Sequence, residues 1–371
     1  MLGVCETCSG EESLRSGGRK RLTVIDPEGD LTLKVGRESR CFVVSSMRLV
    51  RASRFFMAML HGKFREGKAA NKNKSSWVVK LPEDNASGFE VLLNIIHSRT
   101  SAVPYYITTR LLFRVTVLTD KYDLVSLLKP WTARWCNVLG SRPCCQKGAV
   151  RRLWIAYELG NRGDFESMLE RLVWKFSVDK NGSFLDHNGK RLDKMLKYLP
   201  SLHGAIEGAI KYRWRLARDY YRILHETVNE LCLGEGEKCL GVSLSRRNKC
   251  ERSAGARLLW TAFTQGVLAS AMPWGRVPVR GTWTRRLDIL EEGLYEMQNS
   301  LLQADPTSWP CNCGWYTHFG HKLRRDITDT LKRNDYGLFS DFHFRRLNKQ
   351  AERSGLKSLL STYGLPTGFG M

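Results

Sequence analysis

From Arg21 onward the chain alternates apolar and polar positions: Leu22 and Val24, then Leu31, Leu33 and Val35. A two-residue period is that of a half-buried strand. Pro27-Glu28-Gly29-Asp30 lies between the two runs and reads as a turn, so a hairpin or two short strands is expected. Cys41-Phe42-Val43-Val44 is a third short strand. Leu49, Ala52, Phe56 and Met59 then recur at helical spacing, with Ser45 or Ser46 placed to cap the helix they predict. Arg48, Arg51 and Arg54 ride on its other faces. The polar, lysine-rich stretch from Gly67 to Ser76 reads as a loop, and Trp77 to Leu81 as a strand ended by Pro82.

Helical periodicity dominates from there. Ser87 and Glu90 have capping-box spacing before Phe89, Leu92, Leu93 and Ile96. The carboxylates of Glu83 and Asp84 just upstream read as favourable charge at that helix start. Thr108 can cap a helix carrying Leu111, Val115, Leu118 and Tyr122. Leu124, Leu127, Leu128, Trp131 and Trp135 continue the rhythm, with Pro130 forcing a kink or restart. Gly140 to Gly148 is the best linker. Beyond it, Leu153, Trp154 and Tyr157 begin a helix that stops at Gly160, and Asp164 is placed to cap the next, with Phe165, Met168, Leu169, Leu172 and Phe176. Asp179 to Lys190 is turn-rich. A long helix is expected from Pro200 to Leu231, a charged loop over 234–252 and a buried helix over 258–272. Leu287, Leu290, Leu294, Met297 and Leu301 make a short heptad-like seam, better read as a core-facing helix than as a coiled coil. Helices around 323–331 and 342–356 complete the pattern. There is no internal repeat of the length that would mark a solenoid.

The pattern predicts an α+β chain: a domain of short strands plus helices over 21–140, a linker over 141–148, and a mostly α-helical C-terminal region over 149–371. Residues 1–20 read as a disordered tail. Composition is that of a globular protein of 371 residues, with 42% hydrophobic and 26% charged positions. No apolar run is long enough to span a bilayer, and the N-terminus lacks the pattern of a signal peptide. An intracellular protein, nuclear or cytoplasmic, is the expectation, with its 11 cysteines mainly buried thiols.

Charge adds one question. The net charge is +22, and both the first 140 residues and the remainder carry a basic excess. Arg19-Lys20-Arg21, Arg246-Arg247 with Lys249 and Arg252, Lys322 with Arg324-Arg325, and Arg345-Arg346 are the densest clusters. No zinc-finger ligand pairs, basic zipper or RNA-recognition signature accompanies them, so solvated basic faces are the better reading.

Ordered pieces of the first domain carry a resemblance. They are Asp26 to Gly36, including Asp30; Phe42-Val43-Val44-Ser45-Ser46; Leu49, Ala52-Ser53, Phe56 and Ala58-Met59; Phe64 to Gly67; Leu81 to Asp84; the Phe-x-x-Leu-Leu run Phe89 to Leu93; and Asp120-Lys121-Tyr122-Asp123. In this order they resemble a BTB/POZ domain of the divergent form common in fungal proteins. The likeness covers about a third of the chain, and Leu153 to Phe176 is similar to the helical extension that follows such domains. Many animal members have His-Lys where Ser45-Ser46 stands, and residues 1–20 offer no convincing extra strand for the family's strand-exchanged dimer. The resemblance implies a non-enzymatic adaptor that recruits a protein partner, with a homodimer and a cullin scaffold of ubiquitin ligases as open alternatives.

Motifs for chemistry are sparse. Cys311-x-Cys313 and His318-x2-His321 are residue types that zinc favours, but both gaps are shorter than in known zinc sites. Buried thiols and core histidines are the better reading. Cys5-x2-Cys8 has metal spacing with no second pair beside it. No nucleophile elbow, phosphate-binding loop or dinucleotide fingerprint occurs, so neither catalytic nor cofactor residues are assigned. Trp131, Trp135, Trp154 and Trp174 sit at helical spacing and suit core packing.

Overall fold

The computed structural model describes residues 22–62, 77–140, 146–186, 188–192, 202–233, 286–302, 315–333 and 341–356. The tail over 1–20, the loop over 67–76, the pieces Phe64 to Gly67 and the segments 234–252 and 258–272 lie outside them. The chain is α+β, with short strands near its N-terminus followed by mostly helical structure. It forms two compact units, residues 1–168 with 341–371 and residues 169–340.

The first unit opens with strands β1 (Leu22–Val24), β2 (Leu31–Val35) and β3 (Arg40–Val44). Helices α1 (Ser46–Ala52) and α2 (Arg54–His61), then strand β4 (Val78–Leu81), follow. The sheet order is β1-β3-β2-β4, with β2 antiparallel to β3 and both outer strands parallel to their neighbours. β1 and β2 are therefore separate strands, not a hairpin. Leu31, Leu33 and Val35 are buried as their alternation predicts, but Leu22 and Val24 are exposed and the half-buried reading fails for β1. An edge strand of this length has one neighbour and little to cover it.

Helix α3 (Ala86–Ile96), a 3-10 turn at Thr100–Ala102, α4 (Thr109–Tyr122), a second 3-10 turn at Val125–Leu128 and α5 (Lys129–Gly140) pack over the sheet. Thr108 caps α4 through Leu111 N–H at 3.2 Å. Pro130 sits in the first turn of α5, where its missing N–H is harmless. The expected helix over Leu49 to Met59 is broken: Ser53 adopts extended backbone between α1 and α2, and its hydroxyl accepts the N–H groups of Phe55 and Phe56. The cap of α3 is Asn85, which accepts Gly88 N–H, in place of the expected Ser87–Glu90 box.

Helices α6 (Gln146–Leu159) and, from the far end of the chain, α11 (Asp341–Ser354) extend this domain, while α7 (Arg162–Lys175) begins in it and ends in the second unit. The linker expected over 141–148 thus falls within the first unit, and its last residues are helical. The physical reason is shared core: Ile155 and Leu159 of α6 belong to the same buried cluster as Phe56, Leu112 and Leu118. Asn161 accepts Asp164 N–H, so Asn161 is the cap of α7 and Asp164 lies in its first turn. Asp164 instead pairs with Arg152.

The second unit holds a small β5 (Ser177–Val178)/β6 (Phe184–Leu185) hairpin and helices α8 (His203–Leu233), α9 (Leu287–Leu302) and α10 (Trp315–Arg333). Leu287, Leu290, Leu294 and Met297 are fully buried, as their core-facing seam predicts. Arg213 of α8 is fully buried as well. Its guanidinium donates to the Val173 carbonyl, and burial lowers its pKa to about 10 against the opposing pull of Asp288. Lys175 and Arg286 pair with Asp288 and hold its carboxyl below the ordinary range despite its burial. Among the described residues no helix is long and apolar enough to cross a membrane.

Candidate interaction surface

The residues that carry the resemblance form a connected scaffold inside the first unit. Asp30 reaches from the β1–β2 turn to the start of α1, where its carboxylate accepts Ser46 N–H at 2.7 Å and Ser46 Oγ–H at 2.6 Å. Ser45 occupies the cap position but makes no side-chain cap bond. Its N–H instead donates to His97 Nε2 at 3.0 Å, while His97 Nδ1 lies 2.9 Å from the Leu93 carbonyl. That pairing fixes the Nδ1–H tautomer, and burial lowers the His97 pKa, so the ring is held neutral. Asp30→Ala removes the acceptor for the α1 terminus. A loss of about 1–2 kcal/mol is expected from capping data, with Asp30→Asn recovering part of it, read as the shift in thermal midpoint.

Further in, Ser53 Oγ–H donates to the Tyr122 carbonyl at 2.6 Å while its oxygen caps α2. Tyr122 stacks on Phe56 with ring centroids 4.7 Å apart and meets Phe89 edge-on at 5.7 Å. Its hydroxyl donates to Asp84, which also accepts Lys121 Nζ at 2.5 Å. Asp84 is therefore a buried acceptor inside the domain and not the helix-start charge that the sequence suggested. Met59 packs partly buried against the same core, where Phe42 and Leu93 are fully buried. Asp123 closes α4 in the left-handed conformation and pairs with Arg353 of α11.

A second polar centre was not evident in the sequence. Glu158 of α6 is buried beside Thr119 and Asp120 of α4 and Arg346 and Gln350 of α11. Gln350 donates to it at 2.8 Å, and Arg346 bridges it to Asp120. Thr119 has a single hydroxyl proton, and the Thr116 carbonyl lies 3.0 Å away to accept it. The same hydroxyl lies 3.3 Å from Glu158 Oε1, so its one proton is shared between the two acceptors. Burial first, and Asp120 next, push the Glu158 pKa up to about 8, against Arg346, Gln350 and Thr119. Between about 4.5 and about 8 the folded chain binds a proton there that the unfolded chain releases. Stability from this site is thus full below about 4.5 and falls as pH rises through about 8. Glu158→Gln is expected to flatten the decline of the thermal midpoint between these pH values. A lone acid inside the apolar run Leu153 to Leu159 is the signal that could have found it.

These polar groups are committed to one another, which leaves the surface above them. Large apolar side chains are exposed on β1 (Leu22 60%, Val24 49%) and on the paired helices α1 and α2 (Met47 49%, Phe55 47%, Met57 50%). Arg48 pairs with Asp26 at 3.6 Å, tying the end of β1 to α1. Among the described residues neither Arg51 nor Arg54 makes an ion pair, and both are exposed. The stretch Ser46 to His61 contains no Lys, Asp or Glu.

Of the metal candidates, Cys311 and Cys313 lie outside the described residues, and His318 and His321 fall one helical turn apart on α10, with His321 exposed. Among the described residues no group of His, Cys, Asp or Glu is placed to hold a metal ion. Cys136 is a free thiol whose pKa burial pushes up to about 12, with Asp164 adding to it, so it is held as an unreactive thiol. Trp135 and Trp154 are core residues, as expected, and Trp135 donates to the Pro104 carbonyl at 3.1 Å. Lys322, within one of the basic clusters, is paired with Glu230. Comparison with protein-family models, with curated proteins and with solved structures finds no match to this chain.

Proposed function

We propose that this chain is a non-enzymatic protein–protein interaction protein built around a BTB/POZ-like domain. The observation that carries this reading is the contrast within that domain. Asp30, Ser53, Asp84, Tyr122 and Glu158 are bonded to the scaffold, while Leu22, Val24, Met47, Phe55 and Met57 face outward. Large apolar side chains left exposed on β1, α1 and α2 are the candidates for a partner's cover. Strand, turn, capped helix, strand and helix also follow in the order that the resemblance implies. Recruitment to a cullin-type ubiquitin ligase is the adaptor role the resemblance suggests.

The net charge of +22 favours a second reading, a nucleic-acid-associated regulator. Affinity capture of the full-length chain from its own cells, with and without nuclease, separates the two. The interaction reading expects a protein set that survives nuclease, and a cullin in that set would assign the adaptor role. A set that disappears with nuclease would transfer the function to the basic charge.

A further inference from the structure

We propose that Tyr105, Tyr106 and Arg134 form a stacking platform for single-stranded nucleic acid. The site uses the turn before α4 and helix α5, elements other than β1, α1 and α2, and it goes beyond the protein-partner reading. Tyr105 is 57% and Tyr106 68% exposed. Their rings meet nearly edge to face, with centroids 4.8 Å apart. The Arg134 guanidinium lies 3.9 Å from the centre of the Tyr105 ring, and Arg134 is itself exposed. These contacts bring the three side chains to one spot on the surface.

The spot is held from beneath. Val103 and Ile107 are buried on either side of the tyrosines. Trp135, fully buried and next to Arg134 on α5, donates to the Pro104 carbonyl at 3.1 Å. The turn is thus pinned on both sides of the pair, which leaves little ordering to oppose binding. Three features then select the ligand. Aromatic faces in solvent stack on unstacked bases whatever the sequence. A guanidinium over a ring widens that surface and keeps N–H donors for a phosphate. The local chain also offers no repulsion to phosphate. Residues 91–119 and 124–140 contain no Asp or Glu, and they include Arg99, Arg110, Arg114, Lys129 and Arg134. Asp120 and Asp123, between the two stretches, are paired with Arg346 and Arg353. A proline-rich peptide also suits exposed aromatic rings, but it brings no negative charge to this basic setting. A duplex keeps its bases stacked on one another and has only the cations to meet.

Fluorescence anisotropy on the full-length chain tests this, with oligonucleotides of about 12 nucleotides. Single-stranded RNA, single-stranded DNA, duplex DNA and a proline-rich peptide are the four probes. At about 150 mM salt, Tyr105→Ala with Tyr106→Ala is expected to weaken both single strands at least about tenfold and to leave the duplex unchanged. Tyr105→Phe with Tyr106→Phe is expected to bind as the wild type does, because stacking needs the rings and not the hydroxyls. The alanine pair removes no charge, so the salt dependence keeps its slope. Arg134→Ala is expected to lower that slope by about 1. Tighter binding of RNA than of DNA would add a contact to the 2′-hydroxyl, and equal affinities would assign the site to bases and phosphates alone. Single-strand affinity unchanged in the alanine pair, or an equal loss on the duplex, would overturn the proposal. So would a proline-rich peptide that binds the wild type and is lost in that variant. None of these results bears on the nuclease-resistant protein set that the interaction reading expects.

Discussion

Tyr122→Ala is expected to destabilise the first unit by about 3–5 kcal/mol, the range for removing a large buried aromatic. The ring is the meeting point of Phe55, Phe56 and Phe89, and its hydroxyl is a donor to buried Asp84. Truncation therefore opens a cavity and takes a donor from a desolvated carboxylate. Tyr122→Phe separates these effects. It keeps the packing and loses one hydrogen bond to a charged group, for which about 1.5–3 kcal/mol is expected. Burial, then Asp84, raise the Tyr122 pKa well above the ordinary tyrosine value, so its hydroxyl stays protonated across the working pH range. The difference between Ala and Phe is measured by urea unfolding of the full chain. Equal losses for the two would mean that the ring packs nothing.

Gly160→Ala is expected to undock α11 from the first unit. Gly160 lies at φ +75, where an added Cβ is disfavoured by about 1–2 kcal/mol on backbone grounds alone. That Cβ would also stand 2.1 Å from Ala351 N and 2.4 Å from the Leu347 carbonyl oxygen. Both are backbone atoms of a helix and neither can move aside singly. The helix is otherwise anchored to the domain by Ser354 Oγ–H on the Leu159 carbonyl at 2.6 Å, by Gln350 on Glu158 and by Arg353 on Asp123. Hydrogen exchange over residues 341–354 is expected to accelerate strongly while exchange in β2 and β3 stays slow. Gly163→Ala is the control, since nothing lies within 4 Å of its added Cβ. It should be neutral or slightly stabilising, as Gly to Ala is within helices. Unchanged exchange over 341–354 in Gly160→Ala would contradict the packing described.

Hydrophobic period located β2, α4 and the seam of α9, because each buries a single face and its sequence records that, while β3 was located by the apolar run Cys41 to Val44. It misread β1, whose Leu22 and Val24 follow a strand period but have no layer above them. It ran α1 and α2 together because the apolar spacing continues through Ser53, and only the backbone there reveals the break. The role of Asp84 was hidden for a different reason. A carboxylate before a helix has an ordinary local explanation, and its real partner, Tyr122, is 38 positions away in sequence. The return of α11 to the first unit is equally non-local. Gly160 reads as a helix stop in the sequence, and its second role, admitting the backbone of α11, depends on a contact across most of the chain. On the candidate surface, Arg48, Arg51 and Arg54 were visible as residues off the apolar stripe. That Met47, Phe55 and Met57 stand exposed beside them required the structure.

The central claim is that a protein partner covers the apolar side chains left exposed on β1, α1 and α2. Hydrogen-exchange mass spectrometry of the captured complex, against the chain alone, tests it most directly. Slower exchange over Leu22–Val24 and Ser46–His61 in the complex is the predicted result. Protection confined to the helices of the second unit, with these segments unchanged, would contradict it.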